Sequence, residues 1–245
     1  MKKTIFLLVM TVITVASIMW GTAVHMGGHW NFLDTSDETK NLENKAVLET
    51  FDTIQADVDV MNLEIKTGDD FSFQYDATDD LVPQYQITDG KLTIEQHKKR
   101  NKFHGTHNCT VVVTVPEGTV LKTVDITSSV GDITIRQVDV DMCNGKTNVG
   151  DVDIDDAEVT QIIWTSDTGD VELNDCTFTT VDISSDVGDV EIGSRNSLTD
   201  YSYDMKTDVG EIIVNGEEYG KKCKSAGKAG SITVRTDVGD ITVQD

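Results

Sequence analysis

What this sequence has little of narrows its class before any motif is considered. It contains 2 prolines and 6% aromatic residues, which argues against a proline-rich linker protein. Basic residues are also few, since 20 Lys and Arg stand against 43 Asp and Glu, for a formal net charge of -23. A surface this negative repels phosphate backbones and anionic head groups, so we expect no nucleic-acid partner. Frequent Val, Ile and Thr argue against disorder.

Cysteine is scarce and widely spaced. None of the 4 cysteines lies within the first hundred residues, which excludes a bacterial lipoprotein anchor. Their spacings of 34, 33 and 47 residues match none of the close-paired metal or redox motifs. We predict buried, unpaired thiols, with disulfides as the alternative that an even count allows. The four are Cys109, Cys143, Cys176 and Cys223.

The N-terminus carries a long apolar run. Lys2 and Lys3 precede the uncharged stretch Thr4–Val24, which is long enough to cross the roughly 30 Å hydrocarbon layer as a helix. The two lysines predict an N-terminus inside and the rest of the chain outside. We interpret residues 1–26 as a transmembrane anchor, with a cleaved signal peptide as the alternative. Residues 27–46 are expected to form a polar linker, and the C-terminus carries no apolar tail or second anchor.

A glycine repeat organises the second half of the chain. Its first four glycines are 19 residues apart, and the next two follow after 22 and 29 residues. A fixed period near 20 residues indicates a solenoid. The six glycines are Gly131, Gly150, Gly169, Gly188, Gly210 and Gly239.

Apolar residues alternate on both sides of each glycine. Around Gly188, for example, Val181 and Ile183 precede it and Val190 and Ile192 follow, a period of two that predicts strands. Apolar residues seven and nine positions after the glycine suggest a third strand. Three short strands per circuit leave no room for a helix, and equal spacing stacks them in parallel about 4.8 Å apart. We predict an all-β, single-stranded parallel β-helix of roughly 19–22-residue circuits, with an antiparallel sandwich as the alternative.

The corner of each circuit has a recurrent composition. The order Asp186-Val187-Gly188-Asp189 predicts a type II turn, whose third position needs the positive φ that glycine adopts without cost. We expect the valine before the glycine to serve the turn and the core rather than a binding function. A Ser or Thr three residues before the glycine is expected to bond turn backbone through its hydroxyl. This set is Ser128, Thr147, Ser166, Ser185, Thr207 and Thr236.

Carboxylates stand on both sides of the glycine in the last four circuits. If they stack at the strand spacing, adjacent unit charges repel by about 1 kcal/mol in water. We favour a solvated acidic edge, because calcium sites show a tighter ligand pattern than one turn per circuit; Ca²⁺ bound between circuits is the alternative. The candidate residues are Asp167, Asp170, Asp186, Asp189, Asp208, Glu211, Asp237 and Asp240.

The first part of the domain shows the same pattern in degenerate form. We divide the domain, residues 47–245, into degenerate circuits at 47–120, which begin or cap the stack, and Val-Gly-Asp circuits at 121–245. The basic, histidine-containing segment His97–Asn108 is expected to be a solvated hairpin loop, with a metal site as the alternative. An insertion with four lysines, 215–228, is either a contact loop or a long turn.

These features together resemble a known family. The apolar N-terminus, "FDTIQADVDVMNLEIKTGDD", "GKLTIEQ", "VVVTVPEGTVLKTVDITSSVGDITI" and the Val-Gly-Asp circuits are similar to the bacterial putative-adhesin domain of unknown function of Gram-positive envelope proteins. The resemblance covers nearly all of the chain after the anchor. It implies a β-helical, surface-exposed, non-enzymatic domain, with some relatives linked to envelope-stress response. We therefore expect a single-pass protein of the bacterial cell membrane with an extracytoplasmic domain, or a secreted one if the N-terminal segment is cleaved.

Three classes of function fit the sequence. The first is a membrane-anchored interaction module whose acidic faces and open terminal circuit contact an envelope protein, a cationic peptide or a wall component. The second is a structural spacer without a ligand. The third is a polysaccharide-active enzyme, which we disfavour because Arg136, Arg195 and Arg235 are dispersed along a repetitive carboxylate ladder. We expect no catalytic residues and no cofactor other than the Ca²⁺ alternative.

Overall fold

The computed structural model describes residues 41–97 and 108–245. The predicted anchor, the linker up to residue 40 and most of the basic loop lie outside the described residues. Within the described ranges, the structure contains no helix that is long and apolar enough to cross a membrane.

The described residues form 20 β-strands. In chain order these are β1 (Asn41–Val47), β2 (Thr53–Val60), β3 (Asn62–Gly68), β4 (Ser72–Thr78), β5 (Gln84–Thr88), β6 (Lys91–Gln96), β7 (Cys109–Pro116), β8 (Val120–Val130), β9 (Ile133–Arg136), β10 (Asp139–Val149), β11 (Val152–Asp155), β12 (Glu158–Thr168), β13 (Val171–Val187), β14 (Val190–Ser194), β15 (Tyr201–Val209), β16 (Ile212–Val214), β17 (Glu217–Gly220), β18 (Lys222–Ser225), β19 (Gly230–Val238) and β20 (Ile241–Gln244). The linker predicted at 27–46 is therefore too long, because its last six residues belong to β1.

The strands build an all-β solenoid with two faces. Sheet 1 has the order β1-β4-β7-β3-β9-β11-β13-β14-β20-β16-β17, and sheet 2 the order β5-β6-β2-β8-β10-β12-β13-β19-β15-β18. Each Val-Gly-Asp circuit contributes one strand to each sheet, and β13 bends from sheet 1 into sheet 2. The third strand, which we expected seven to nine residues after the glycine, is the first part of a longer sheet 2 strand such as β10 or β12. Each circuit therefore has two strands rather than three.

The interior is filled by the alternating apolar residues. The pairs on either side of the corner, such as Val152 with Ile154 and Val181 with Ile183, are fully buried, and each stacks on its counterpart in the next circuit. Burying such a side chain contributes about 1.5–3 kcal/mol, and only stacking provides that burial.

One pair of adjacent circuits shows how tightly the columns fit. The ring of Trp164 lies over Gly145, where a Cβ would be 2.3 Å from the ring atoms. Its indole Nε1 donates to Thr147 Oγ1 at 3.3 Å, in the same neighbouring circuit. The largest side chain of this column therefore depends on a glycine one level away.

The circuits are stacked out of sequence order at both ends. The last circuit, β19–β20, lies between β13–β14 and β15–β16, and β2–β3 lies between β6–β7 and β8–β9. At the C-terminal end of the stack, antiparallel β18 and β17 occupy the outer edges of β15 and β16. At the opposite end, antiparallel β5 and β4 cover the parallel strands. Antiparallel strands thus cap the terminal circuits that we expected to be open.

All four cysteines are buried and unpaired, which confirms the thiol prediction. Burial raises the pKa of Cys109 and of Cys143 to about 12, so these thiols remain protonated at neutral pH.

Candidate functional site

The corner between the two strands of a circuit requires glycine. Gly188 has φ of 150°, and a Cβ on it would lie 2.0 Å from the carbonyl oxygen of Gly169. The six repeat glycines have φ between 130° and 153°, whereas a type II turn needs about +80°. The type II prediction is therefore wrong. The corner is an open bend, with its amides bonded to the next circuit: Gly188 N donates to Val238 O and Val190 N to Asp240 O, both at 2.9 Å.

The carboxylate after the glycine supports this bend. Asp170 Oδ1 accepts from Asp189 N of the next circuit at 2.8 Å, and Asp170 N donates to Asp151 Oδ1 at 2.9 Å. The same bond recurs at each level, starting from Asn62 Oδ1. We call these acidic residues the bonded row: in stacking order Asp132, Asp151, Asp170, Asp189, Asp240 and Glu211. Each Asp in it provides an acceptor for a neighbouring amide, and a charge-assisted bond of this kind offsets repulsion within the row.

The carboxylates before the glycine form a second row with another environment. We call this the outer row: Asp167, Asp186, Asp237 and Asp208. Asp167 is half-buried and the other three are exposed. Lys206 donates to Asp208 and lowers the pKa of that carboxyl. The eight predicted residues thus lie in two separate rows.

An exposed column of valines lies between the two rows. These residues directly precede the glycines and pair in register from circuit to circuit. Their exposed fractions range from 44% to 59%, which contradicts the assignment of Val187 to the core. We call this the valine column: Val130, Val149, Val187, Val238 and Val209, with Thr168 at the third level. We call the valine column, together with the bonded row and the outer row beside it, the acidic corner.

The outer face of sheet 1 continues the negative charge. Burial, with repulsion from Asp155 and Glu172, raises the pKa of Asp153. Arg136 Nε offsets part of this charge through a 2.9 Å bond to Asp155 Oδ2. Within residues 41–97 and 108–245, no group of three or more His, Cys, Asp or Glu side chains is arranged to hold a metal ion.

The Ser and Thr residues of the repeat face the interior. All six are buried. Thr207 Oγ1 donates to Gly239 O at 2.8 Å, and Thr236 Oγ1 donates to Gly188 O at 3.3 Å. These two hydroxyls bond corner backbone, but on the neighbouring circuit rather than on their own. The expectation is wrong for Ser128, Ser166 and Ser185, whose buried Oγ atoms have no hydrogen-bond partner among the described residues.

The remaining candidates are held in structural roles. Arg136, Arg195 and Arg235 each pair with carboxylates one or two circuits away instead of converging on one point. The lysine-rich insertion forms β17 and β18, which cap the stack. A groove of about 520 Å³ along sheet 2 contains the acidic residues Asp139, Asp141 and Glu158, and its lining among the described residues includes no basic side chain.

Comparison with solved structures finds one with a similar fold and another with a weaker likeness. A putative cell adhesion protein from Clostridium sporogenes is 14% identical, with a TM-score of 0.50; the match covers 84% of this chain and 99% of that one. A putative adhesin from Bacteroides fragilis is 16% identical, with a TM-score of 0.46 and coverage of 83% and 97%. At these identities the likeness concerns the fold alone. A search of curated proteins finds no match.

The family is shown by a match that spans most of the chain. The family model Toastrack DUF4097 matches residues 51–244, from the strand pair β2–β3 to the last residue of β20. This confirms the resemblance to a putative-adhesin domain of unknown function, and the chain belongs to the Toastrack DUF4097 family.

Proposed function

We propose that this chain is a non-enzymatic interaction module of the bacterial cell envelope, anchored in the membrane by residues 4–24 with its solenoid outside the cytoplasm. Its acidic corner binds a cationic segment of an envelope protein or peptide that also carries apolar side chains. The anchor and the location rest on the apolar run and on the two lysines before it.

The observation that carries this proposal is the valine column between two rows of carboxylates. Exposed valines at five of six stacked levels, with Thr168 at the third, form a largely apolar stripe roughly 24 Å long at about 4.8 Å per level. Contiguous exposed apolar surface rimmed by polar residues is typical of interaction sites. Negative charge on both sides favours a partner that places cations beside its apolar residues.

The bonded row retains the capacity to attract a cation. A carboxylate has about four lone-pair sites, and the bond to a backbone amide uses one of them. In the outer row, Asp186 and Asp237 are exposed. Both rows therefore contribute to the negative potential around the valine column.

The arrangement of the acidic and basic groups supports a non-enzymatic role. The carboxylates are spread along rows, and the three arginines considered for a polysaccharide-active site are engaged in ion pairs in separate places. Catalysis on a glycan needs an acid, a base and a stabilising group around one bond.

Binding of a short peptide of alternating lysine and valine tests the site. The full chain in detergent is titrated with fluorescent peptide, with alternating glutamate and valine as the control peptide. We expect binding of the lysine peptide that weakens as salt screens the rows. Val149→Thr with Val187→Thr interrupts the apolar stripe at its centre, because it places threonine at three successive levels while keeping the branched shape that Thr168 already has there.

Asp186→Asn with Asp237→Asn removes charge from the outer row without touching the backbone bonds of the bonded row. Both double variants are expected to weaken binding at least about tenfold, that is by roughly 1.4 kcal/mol. Equal affinity of both variants and the parent for the lysine peptide would reject the acidic corner as the binding site and favour a structural spacer.

A further inference from the structure

The strand β1 is an exposed edge of the solenoid. Among the described residues it pairs only with β4, antiparallel, at the end of sheet 1. Leu42 is 43% exposed and Val47 73% exposed, and the residues between them are exposed except for half-buried Ala46. A strand in this position presents unpaired backbone groups on its free side.

The register with β4 identifies which backbone groups are free. Val47 lies opposite Ser72, and in the next pair Leu48 N donates to Phe71 O at 2.8 Å. Because bonded and non-bonded pairs alternate in an antiparallel ladder, the even-numbered residues of β1 bond to β4. The odd-numbered residues, among them Glu43 and Lys45, therefore direct both N–H and C=O to the free edge.

The sequence of β1 is complementary to itself in one antiparallel register. When two copies pair about Asn44, Glu43 of each lies opposite Lys45 of the other, and Leu42 lies opposite Ala46. The odd-numbered residues then face one another, so their free backbone groups bond directly. Within the described residues, Glu43 and Lys45 have no ion pair in their own chain that would compete.

Neighbouring registers are disfavoured. A shift of two residues centres the pair on Glu43 or on Lys45 and places like charges opposite each other, which is destabilising. A shift of one residue places odd-numbered residues opposite even-numbered ones. The backbone groups of the even-numbered residues are already bonded to β4, so they cannot bond to a second copy. The charge pattern therefore selects the register centred on Asn44.

The other end of the solenoid has the opposite property. Its edge strand β17 carries Glu217 and Glu218, and β18 carries Lys222 and Lys224. Like charges along an edge oppose pairing with a second copy, as is usual for protected edges. The edge strand β5 carries no charge that would select a register. Among the described edges, β1 alone has charges that complement those of its own copy.

We propose that two copies of this chain form a symmetric dimer through β1, paired antiparallel about Asn44, so that sheet 1 continues from one copy into the other. The two-fold arrangement uses the same residues from both copies and closes after two, as in most soluble homodimers. The pairing is independent of the acidic corner.

A charge exchange tests the register. Sedimentation of the full chain in detergent is compared with that of Glu43→Lys, Lys45→Glu and the double exchange. Each single variant creates two like-charged pairs and is expected to weaken the dimer at least about tenfold, and the double exchange is expected to restore it. A dimer that persists in both single variants, or one that the double exchange does not restore, overturns the proposal.

A cysteine at the centre of the strand gives a second, geometric test. Opposed Asn44 residues form a non-bonded pair with Cα atoms about 4.5 Å apart, within the range of about 4.4–6.8 Å that a disulfide requires. Asn44→Cys is expected to cross-link covalently under mild oxidation, whereas Ala46→Cys places the thiols several residues apart and is not. The native cysteines are buried, so they do not contribute. Monomeric Asn44→Cys, or equal cross-linking of both variants, contradicts the arrangement.

Discussion

The two rows of carboxylates at the acidic corner have the same residue type and the same period, yet they do different things. In the bonded row, Asp170 accepts the amide of Asp189 at 2.8 Å. In the outer row, Asp186 is exposed two residues before its glycine. The difference arises from the backbone. At each open bend, the amide of the residue after the glycine points to the equivalent Asp side chain of the neighbouring circuit. Position relative to a bend therefore decides whether a repeated acid supports the fold or remains available for a partner.

Removing the corner glycine is expected to have the largest effect, since the bend positions both rows. Gly188→Val combines a positive φ with a Cβ 2.0 Å from Gly169 O, and we expect a loss of stability on the order of 3–5 kcal/mol. Urea denaturation measures the loss. Gly193→Ala is the matched control, because its Cβ would be no closer than 3.2 Å to Leu173 O; similar losses for both would contradict the role of the bend.

Substituting one acidic residue from each row tests whether the two rows contribute differently to the unfolding free energy. Asp170→Ala leaves Asp189 N without its acceptor and is expected to cost about 1 kcal/mol in unfolding free energy. Asp167→Ala, in the outer row of the same circuit, is expected to change it by less than about 0.5 kcal/mol. Asp170→Asn should retain most of the stability, because Asn62 performs the same bond at the start of the row. Equal effects in urea denaturation for the two alanine variants would erase the distinction.

The pH dependence of stability separates two further acids on the basis of their neighbours. Burial raises the pKa of Asp153 in the folded chain, so ionisation of this carboxyl lowers the stability of the fold. That loss of stability disappears as the pH falls through the folded pKa. Lys224 and Arg235 lower the pKa of Asp204, so its contribution is present above the unfolded value near 3.8 and is lost as pH falls through the folded pKa.

Asp153→Asn is therefore expected to stabilise the fold at pH 7 and to have little effect at pH 3. Asp204→Asn is expected to destabilise it at pH 7. Chemical denaturation at the two pH values measures both, and a destabilising Asp153→Asn at pH 7 would contradict the assignment.

The smallest effect on stability is expected for the valine column. Val187→Thr keeps a branched side chain at an exposed position and should change the unfolding free energy by less than about 0.5 kcal/mol. The same variant is expected to reduce lysine-valine peptide binding, measured by fluorescence anisotropy. A loss of stability above about 1 kcal/mol would indicate a packing role and remove this residue from the proposed site.

The repeat predicted the solenoid because its signal is local. Val190 and Ile192 show the buried face of a strand, and Gly188 marks the corner, within one short segment. The order of the last two circuits has no such signal. Both β15 and β19 end in Thr-Asp-Val, directly followed by glycine, so either strand has the side chains needed to stack on β13. Only the chain path through the β17–β18 cap decides between them.

The acidic corner was predicted in composition but not in arrangement. The eight acids were identified from their columns, whereas their division into two rows depends on amides of neighbouring circuits. The valine column was missed because a valine beside a glycine corner looks the same whether it faces in or out. Its recurrence before five of the six glycines was the available signal. Strand β1 was missed because its polar composition is typical of a linker.

The position of β19–β20 has a consequence for the order in which the molecule assembles. During synthesis, residues 201–214 emerge before residues 230–244, yet their parallel partners lie only in those later residues. The stack therefore cannot grow one circuit at a time to its end. Circuit β15–β16 joins the earlier circuits only after residues 230–244 have emerged, because β19–β20 lies between them. Completion of the stack is thus a late, long-range step that requires residues 230–244.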